Sequence, residues 1–337
     1  MSDLPRLVLA PMAGGPGTVE LAVAVAEAGG LATLAAGYLT ADRLAQDVAA
    51  LRSRTTSPFA VNLFVPGPDR PELLDRAREH AARLAPMAEL AGVALGEPRY
   101  DDDAYAAKLD VLLLTPPAVA TFAFGWPDLS VVEALHRAGS QVWVTLNDPA
   151  EVQWATELGV DGVVAQGWEA GAHRGGPVDN RAGLPTRDLV TAVRTLRSGR
   201  MWIVAAGGAM TAADAAALRD RGADAVAFGS AFLLADEAGT SEVHRHALRE
   251  RTGTVVTRTF TGRSARALRT AWTDLHSDGA PAAYPHVHHV TAPLRAHGRA
   301  TGQAELVNLW AGTGHAQARS APAAEIAVGL LPGLGQC

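Results

Sequence analysis

Between Gln166 and Gly176 the chain reads QGWEAGAHRGG, an amide, a carboxylate, an imidazole and a guanidinium spaced by glycine. An imidazole titrates near neutral pH and exchanges a proton without an extreme pKa shift, so His173 is the candidate catalytic group. The glycines at 167, 171, 175 and 176 are expected to supply positive φ and to let a flat ligand approach the backbone. The same residues would also make a solvated loop in which His173 and Arg174 lie beside Glu169, and only the surrounding elements separate the two readings.

Those elements begin with the apolar run Asp161 to Ala165, which predicts a buried strand ending at the donor and acceptor side chain of Gln166. The pattern recurs. Leu7–Ala10 leads through a Gly-rich loop to a helix with Thr18 as N-cap. Leu31–Ala35 precedes a helix near Thr40, and Phe59–Leu63 precedes one from about Pro71 to Leu90. Asp101–Leu114 is helical and leads to a fourth strand, Val119–Phe124. Further strands are expected at 141–145, 162–165, 201–205 and 225–228. Consecutive apolar positions mean burial on both faces, hence parallel strands joined by crossover helices. Roughly eight such units in about 235 residues predict an α/β fold closed as a TIM (β/α)8 barrel. A doubly wound sheet is the rival, weakened because no G-x-G-x-x-G turn follows the first strand.

The expected organisation is a barrel over 1–235, a small helical domain appended after the eighth strand over 236–284, and a C-terminal segment, 285–337, returning to the barrel. The second region is polar, without further strand and helix alternation, and carries Arg249, Arg251, Arg258, Arg263, Arg266 and Arg269. These arginines read as a solvated helical face with ion pairs; an anion site is the alternative. A helix is expected near Thr291–Ala300.

Of the 337 residues 48% are hydrophobic and 19% charged, which calls for a sizeable core rather than disorder. A net charge of −6 without a basic block speaks against nucleic acid as a partner. The single cysteine, Cys337, allows no internal disulfide and no thiolate metal site, and a terminal position does not activate it as a nucleophile. No leader pattern and no stretch of roughly 20 apolar residues occurs, so a cytoplasmic protein away from membranes is expected.

Ligands of such a barrel bind at the carboxyl ends of the strands, with phosphate at the loops after strands seven and eight. Those loops hold Gly207 and Gly208, and Gly229 and Ser230, ahead of helices expected near Thr211 and Ser230. Together they point to a phosphate-bearing cofactor. Met12, Asn62 and Gln166 stand at other strand ends, where one soft contact and two amides suit the edge of a heterocycle; satisfying loop backbone is the alternative role for either amide.

The segments APMAGG (10–15), AGGLATLAAGYLT (28–40), PFAVNLF (58–64), QGWEAGAHRGG, AAGG (205–208), FGSAF (228–232), TRTFTGRSAR (257–266), YPHVHH (284–289) and NLWAG (308–312) resemble the FMN-dependent nitronate monooxygenases, also called 2-nitropropane dioxygenases. The resemblance covers nearly the whole chain. It implies non-covalent FMN with its phosphate at Gly207/Gly208 and Gly229/Ser230, flavin contacts from Met12, Asn62, Gln166 and Gly171, and His173 over the reactive face. It also implies a small-molecule substrate and O2, oxidation of alkyl nitronates to a carbonyl compound and nitrite, and a monomer or homodimer. The substrate pocket departs from the family pattern. Ala123 replaces a histidine common in the fourth-strand motif, and a Tyr, Tyr, Lys series at four-residue spacing here reads Tyr284, His288, Ala292. The glycine before the catalytic histidine is Ala172. His286, His288 and His289 have no accompanying carboxylate cluster or cysteine, so no metal is expected. An NAD(P)H-dependent flavin reductase of the quinone or enoyl-thioester type on the same barrel is the alternative, and a flavin-binding protein without activity is a third.

Overall fold

Strands that are apolar at every position have no face to give to water, and here they are covered on both sides. The computed structural model describes residues 4–335; Cys337 lies outside them. The strands are β1 (Leu7–Leu9), β2 (Ala32–Ala35), β3 (Phe59–Phe64), β4 (Val119–Ala123), β5 (Gln141–Leu146), β6 (Gly162–Gln166), β7 (Ala172–His173), β8 (Trp202–Ala206), β9 (Ala225–Phe228), β10 (Thr254–Thr257) and β11 (Ala265–Leu268). The helices are α1 (Val19–Glu27), α2 (Ala41–Arg52), α3 (Pro71–Leu90), α4 (Tyr105–Leu114), α5 (Leu129–Ala138), α6 (Val152–Leu158), α7 (Thr186–Leu196), α8 (Ala212–Asp220), α9 (Glu242–Glu250), α10 (Ala271–His276), α11 (His286–Thr301) and α12 (Ala323–Leu330).

Eight parallel strands run in the order β1-β9-β8-β6-β5-β4-β3-β2. The two ends meet through a parallel bridge between Val8 and Leu31, with Leu31 N–H donating to Leu7 O at 2.7 Å and Leu9 N–H to Leu31 O at 3.0 Å. The sheet is a TIM barrel, as its pattern predicts. Its interior is packed by Val8, Ala60, Val119, Trp143, Val204 and Ala225, and a larger apolar layer lies between strands and helices. Polar side chains replace this packing toward the carboxyl end, beginning with Thr33, Asn62, Thr121 and Thr145. The filled floor leaves room for a ligand only above that level.

The chain after β9 is not wholly helical. Thr254–Thr257 pairs antiparallel with Ala265–Leu268, and Ala265 and Arg266 pair in turn with His173 and Ala172 of β7. Val255, Val256 and Thr257 are β-branched and favour a strand, a local signal that the arginine spacing obscures. The expected ion-pairing face is likewise only partly present. Arg258 pairs with Asp179 at 2.8 Å and Arg269 with Asp274 at 2.9 Å, and Arg251 pairs with Glu305. Arg263 and Arg266 are instead buried. The last expected helix starts earlier than read, at His286, and α12 returns to the barrel wall through Ile326, Ala327 and Leu330.

Candidate active site

The loops at the carboxyl ends of the barrel strands enclose one cavity. Met12 enters it from the loop after β1, Asn62 from β3, Ala123 from β4 and Gln166 from β6; Gly207 and Gly208 follow β8, and Gly229 and Ser230 follow β9. Gly171 and His173 line the same cavity. The other two residues read as substrate pocket stand behind this wall. Tyr284 packs edge-on to Phe124 at 5.2 Å and near His173 at 6.1 Å, while His288 stacks on Tyr38 at 4.4 Å and 8°.

The loop carrying His173 is held by side chains on all sides. Gln166 donates from Nε2 to His173 O at 2.9 Å and accepts from Gly175 N–H at 2.8 Å, and Asn147 Nδ2 donates to its Oε1 at 2.8 Å. Gln166 therefore both lines the cavity and satisfies loop backbone. Glu169 Oε2 accepts from Thr186 N–H at 2.8 Å and its hydroxyl at 2.7 Å. Arg266 lies over the Trp168 ring at 3.9 Å and donates to Trp168 O from Nη2 at 2.7 Å. Asn62 donates to Thr121 Oγ1 at 2.7 Å.

The glycines of this loop work differently from expectation. None of Gly167, Gly171, Gly175 and Gly176 has positive φ; the left-handed residue is Ala172, at φ 61°. The glycines allow close packing instead. A Cβ on Gly171 would stand 2.5 Å from Gly312 N and 2.6 Å from Ala311 C, and one on Gly167 2.1 Å from Thr186 Oγ1.

His173 itself is surrounded by rings. Phe124 and Trp310 each lie 5.2 Å from it, centroid to centroid, and its Nε2 is 2.9 Å from Thr261 Oγ1. Burial pushes its pKa down to about 3, helped by the Arg263 and Arg295 charges and opposed by Asp179. The imidazole is neutral at physiological pH, so the solvated-loop reading does not describe it. Phe124, expected as the last residue of its strand, has left it at φ 73° and donates its N–H to Gly175 O at 2.7 Å. Tyr38, Thr261, Trp310, Arg263 and Arg295 complete the surroundings. Sequence reasoning gave none of them a role in the site, although Tyr38, Thr261, Arg263 and Trp310 fall inside motifs already singled out.

A sequence profile of the family described as nitronate monooxygenase matches residues 2–333. The chain belongs to the nitronate monooxygenase family. A nitronate monooxygenase of Pseudomonas aeruginosa is 36% identical, over 95% of this chain and 93% of that one. One from Paraburkholderia phytofirmans is 35% identical, over 96% and 90%. Among solved structures, nitroalkane oxidase from Streptomyces ansochromogenes superposes with a TM-score of 0.93 at 43% identity, covering 98% of this chain and 95% of that one. The protein is thus an FMN-dependent oxidoreductase of this family.

The cavity fits that cofactor. Gly207 and Gly208 have φ of 121° and 78°, conformations that L side chains rarely adopt, and a Cβ on Gly207 would meet Ala170 N at 2.9 Å. Such a backbone, bare of Cβ atoms, lets a ligand approach it closely. It is followed by α8, whose N-cap Thr211 and Asp214 form a capping box. The helix expected at Ser230 is only a 3₁₀ turn, Ser230–Phe232, so little dipole reaches the second loop. Ser230 Oγ accepts from Gly312 N–H at 2.8 Å, tying the C-terminal segment to the loop after β9. Among the described residues no group of three or more His, Cys, Asp or Glu is arranged to hold a metal ion. No helix among them is long and apolar enough to cross a membrane.

Proposed function

We propose that the protein oxidises alkyl nitronates with O2 to a carbonyl compound and nitrite. FMN in this cavity would have its phosphate at Gly207/Gly208 and Gly229/Ser230 and its ring edge near Met12, Asn62, Gln166 and Gly171. When bound it supplies the electron acceptance and the reaction with oxygen. The observation that carries the reading is His173. Its imidazole lines the same cavity as the glycine cradle, is neutral, and has Nε2 engaged by Thr261. Nδ1 is left as the nitrogen that takes the α-proton of a neutral nitroalkane, or that accepts a hydrogen bond. Phe124, Trp310 and Tyr284 exclude water around it, which keeps a carbanion-like substrate from being reprotonated by solvent. Ala123 borders the space beside His173, with Tyr284 packed behind its wall, and small nitronates suit it.

The test is oxygen uptake by the FMN-replete protein with propionate 3-nitronate and no NAD(P)H. Rapid uptake with nitrite release is expected. Absence of uptake, with rapid anaerobic bleaching of the flavin by NADH or NADPH, would replace this reading by the reductase.

A further inference from the structure

A hydroxyl has one proton to give and lone pairs to offer, so a buried hydroxyl with several neighbours fixes where their protons lie. Thr261 is such a group. It is 1% exposed and lies in the turn between β10 and β11. That turn is held at several points. Thr261 N–H and Gly262 N–H both donate to Arg258 O, at 3.2 and 2.7 Å, and Ala283 N–H donates to Gly262 O at 2.9 Å. Gly262 has φ 82°, and a Cβ on it would stand 2.5 Å from Ala283 C, so no other residue fits there without displacing backbone. β11 then pairs Ala265 with His173, which brings the turn to the imidazole.

Around Thr261 Oγ1 lie His173 Nε2 at 2.9 Å, Arg263 O at 3.3 Å and Arg263 N at 3.4 Å. The backbone N–H only donates and the carbonyl only accepts, so the arrangements that remain differ in where the hydroxyl proton goes. If it goes to Arg263 O, then Oγ1 accepts from Arg263 N–H and from a protonated Nε2, and every partner is satisfied. If it goes to Nε2, Arg263 O loses its only donor among the described residues and the ring carries its proton on Nδ1. A buried carbonyl left without a donor bears its full desolvation penalty, and this selects the first arrangement. His173 Nδ1 has no hydrogen-bond partner among the described residues and is not sealed off from the cavity that the ring lines.

Resting on the nitronate reading above, we propose that Thr261 is a positioning residue that holds His173 as the Nε2–H tautomer, and that this hold is what equips the imidazole to deprotonate neutral nitroalkanes. The lone pair of Nδ1 forms the new N–H bond as the Cα–H bond of the substrate breaks. The electron pair of that bond stays on carbon and delocalises into the nitro group, giving the nitronate, and the proton remains on the ring.

The choice of a hydroxyl has a chemical reason. A carboxylate in its place would fix the same tautomer but would also favour the imidazolium, which has no lone pair left to take a proton. Thr261 orders the ring without charging it. The charges whose fields reach the ring are Arg263, Arg295 and Asp179, and none of them bonds to it among the described residues. A preformed nitronate already lacks the α-proton, so its oxidation makes no demand on the tautomer. The two forms of one substrate therefore separate the role of Thr261 from general support of the site.

The experiment compares initial rates of nitrite release from nitroethane and from ethyl nitronate in the FMN-replete wild type, Thr261→Val and Thr261→Ser. Thr261→Val keeps the shape and removes the hydroxyl. It is expected to lower kcat/KM for nitroethane at least about tenfold, to leave that for ethyl nitronate within about threefold, and to keep its FMN, with Thr261→Ser recovering most of the loss. Equal losses on both substrates, unchanged nitroethane turnover, or a wild type that oxidises only the nitronate would each overturn the proposal. The tautomer is read separately, from two-bond 1H–15N correlation spectra of the histidine-labelled, FMN-loaded wild type, in which bare and protonated ring nitrogens have different 15N shifts. The His173 signals are those lost in His173→Asn. Nε2 is expected to carry the proton and Nδ1 to be bare; the reverse overturns the proposal even if Thr261→Val does not fold. The spectrum needs no turnover, so Nε2–H in a protein that oxidises neither substrate defeats the functional reading and leaves the hold of Thr261 on the ring standing. Oxidation of both substrates by a protein with its proton on Nδ1 defeats the positioning role alone.

Discussion

His173 is neutral because of its surroundings rather than its own chemistry: rings on several sides remove water, and two guanidinium fields oppose a second proton. Replacing His173 by Asn is expected to leave FMN bound and to lower turnover of neutral nitroalkanes by roughly 10²- to 10⁴-fold, measured by nitrite release. Loss of flavin in that variant would mean that the ring only supports the fold. Beside it, Ala172 bears the backbone strain of the loop at φ 61°. Ala172→Gly relieves that strain but adds unfolded-state entropy, so its stability to urea should stay within about 1 kcal/mol of wild type. Ala172→Val places a β-branched residue at positive φ and is expected to cost at least about 1–2 kcal/mol; equal stability of the two variants would show that the strain is not felt. At this scale Met12, Asn62 and Gln166 were legible as cavity-lining residues, Gln166 as the last residue of β6, Asn62 within the carboxyl half of β3 and Met12 in the loop after β1. Tyr38, Thr261 and Arg295 were not, because nothing in their local sequence tells which distant loop they will meet.

The elements that matter most for the site are the two-residue strand β7 and its partner β11, which fasten the loop carrying His173 to the region after the barrel. The barrel strands could be read directly from apolar runs bounded by glycine and proline. β10 and β11 could not, because four-residue strands with arginines among them carry almost no periodicity, and their pairing with β7 is a long-range event. The glycines were misread for a related reason: composition shows that a side chain is missing, and only packing shows what occupies its place. Gly171 gives the sharpest case. Gly171→Ala drives a Cβ into the backbone of Ala311 and Gly312, and so disturbs Gly312 N–H on Ser230 Oγ and Thr313 N–H on Glu169 O. Purified protein is expected to carry much less FMN and to lose about 1–3 kcal/mol of stability. A variant with full flavin content and unchanged melting temperature would show that the 311–312 segment moves aside freely.

Across the whole molecule, burial of imidazoles sets how the fold answers to acid. Burial lowers the pKa of His80 and His244 to about 4, of His173 to about 3 and of His288 to about 2. In the unfolded chain each returns to about 6.5. Below that value the unfolded state binds protons that the native state refuses, so stability is complete above about pH 6.5 and falls as pH drops toward the native values, by about 1.4 kcal/mol per pH unit for each imidazole. Asp103 and Glu151, whose pKa values burial raises, act in the opposite sense and offset part of this loss above the ordinary carboxylate range. Four such histidines set against a typical reserve of about 5–15 kcal/mol mean that unfolding should begin well above the pH at which most carboxylates titrate. Urea midpoints of the FMN-loaded protein are therefore expected to decline steeply between about pH 6.5 and 4. The His80→Gln variant, which removes one of these groups while offering a donor to Thr259 O, should flatten the slope by about a quarter. A midpoint that stays level down to about pH 5 would show that these imidazoles take up protons in the native state, and with them His173, whose neutrality the proposed chemistry requires.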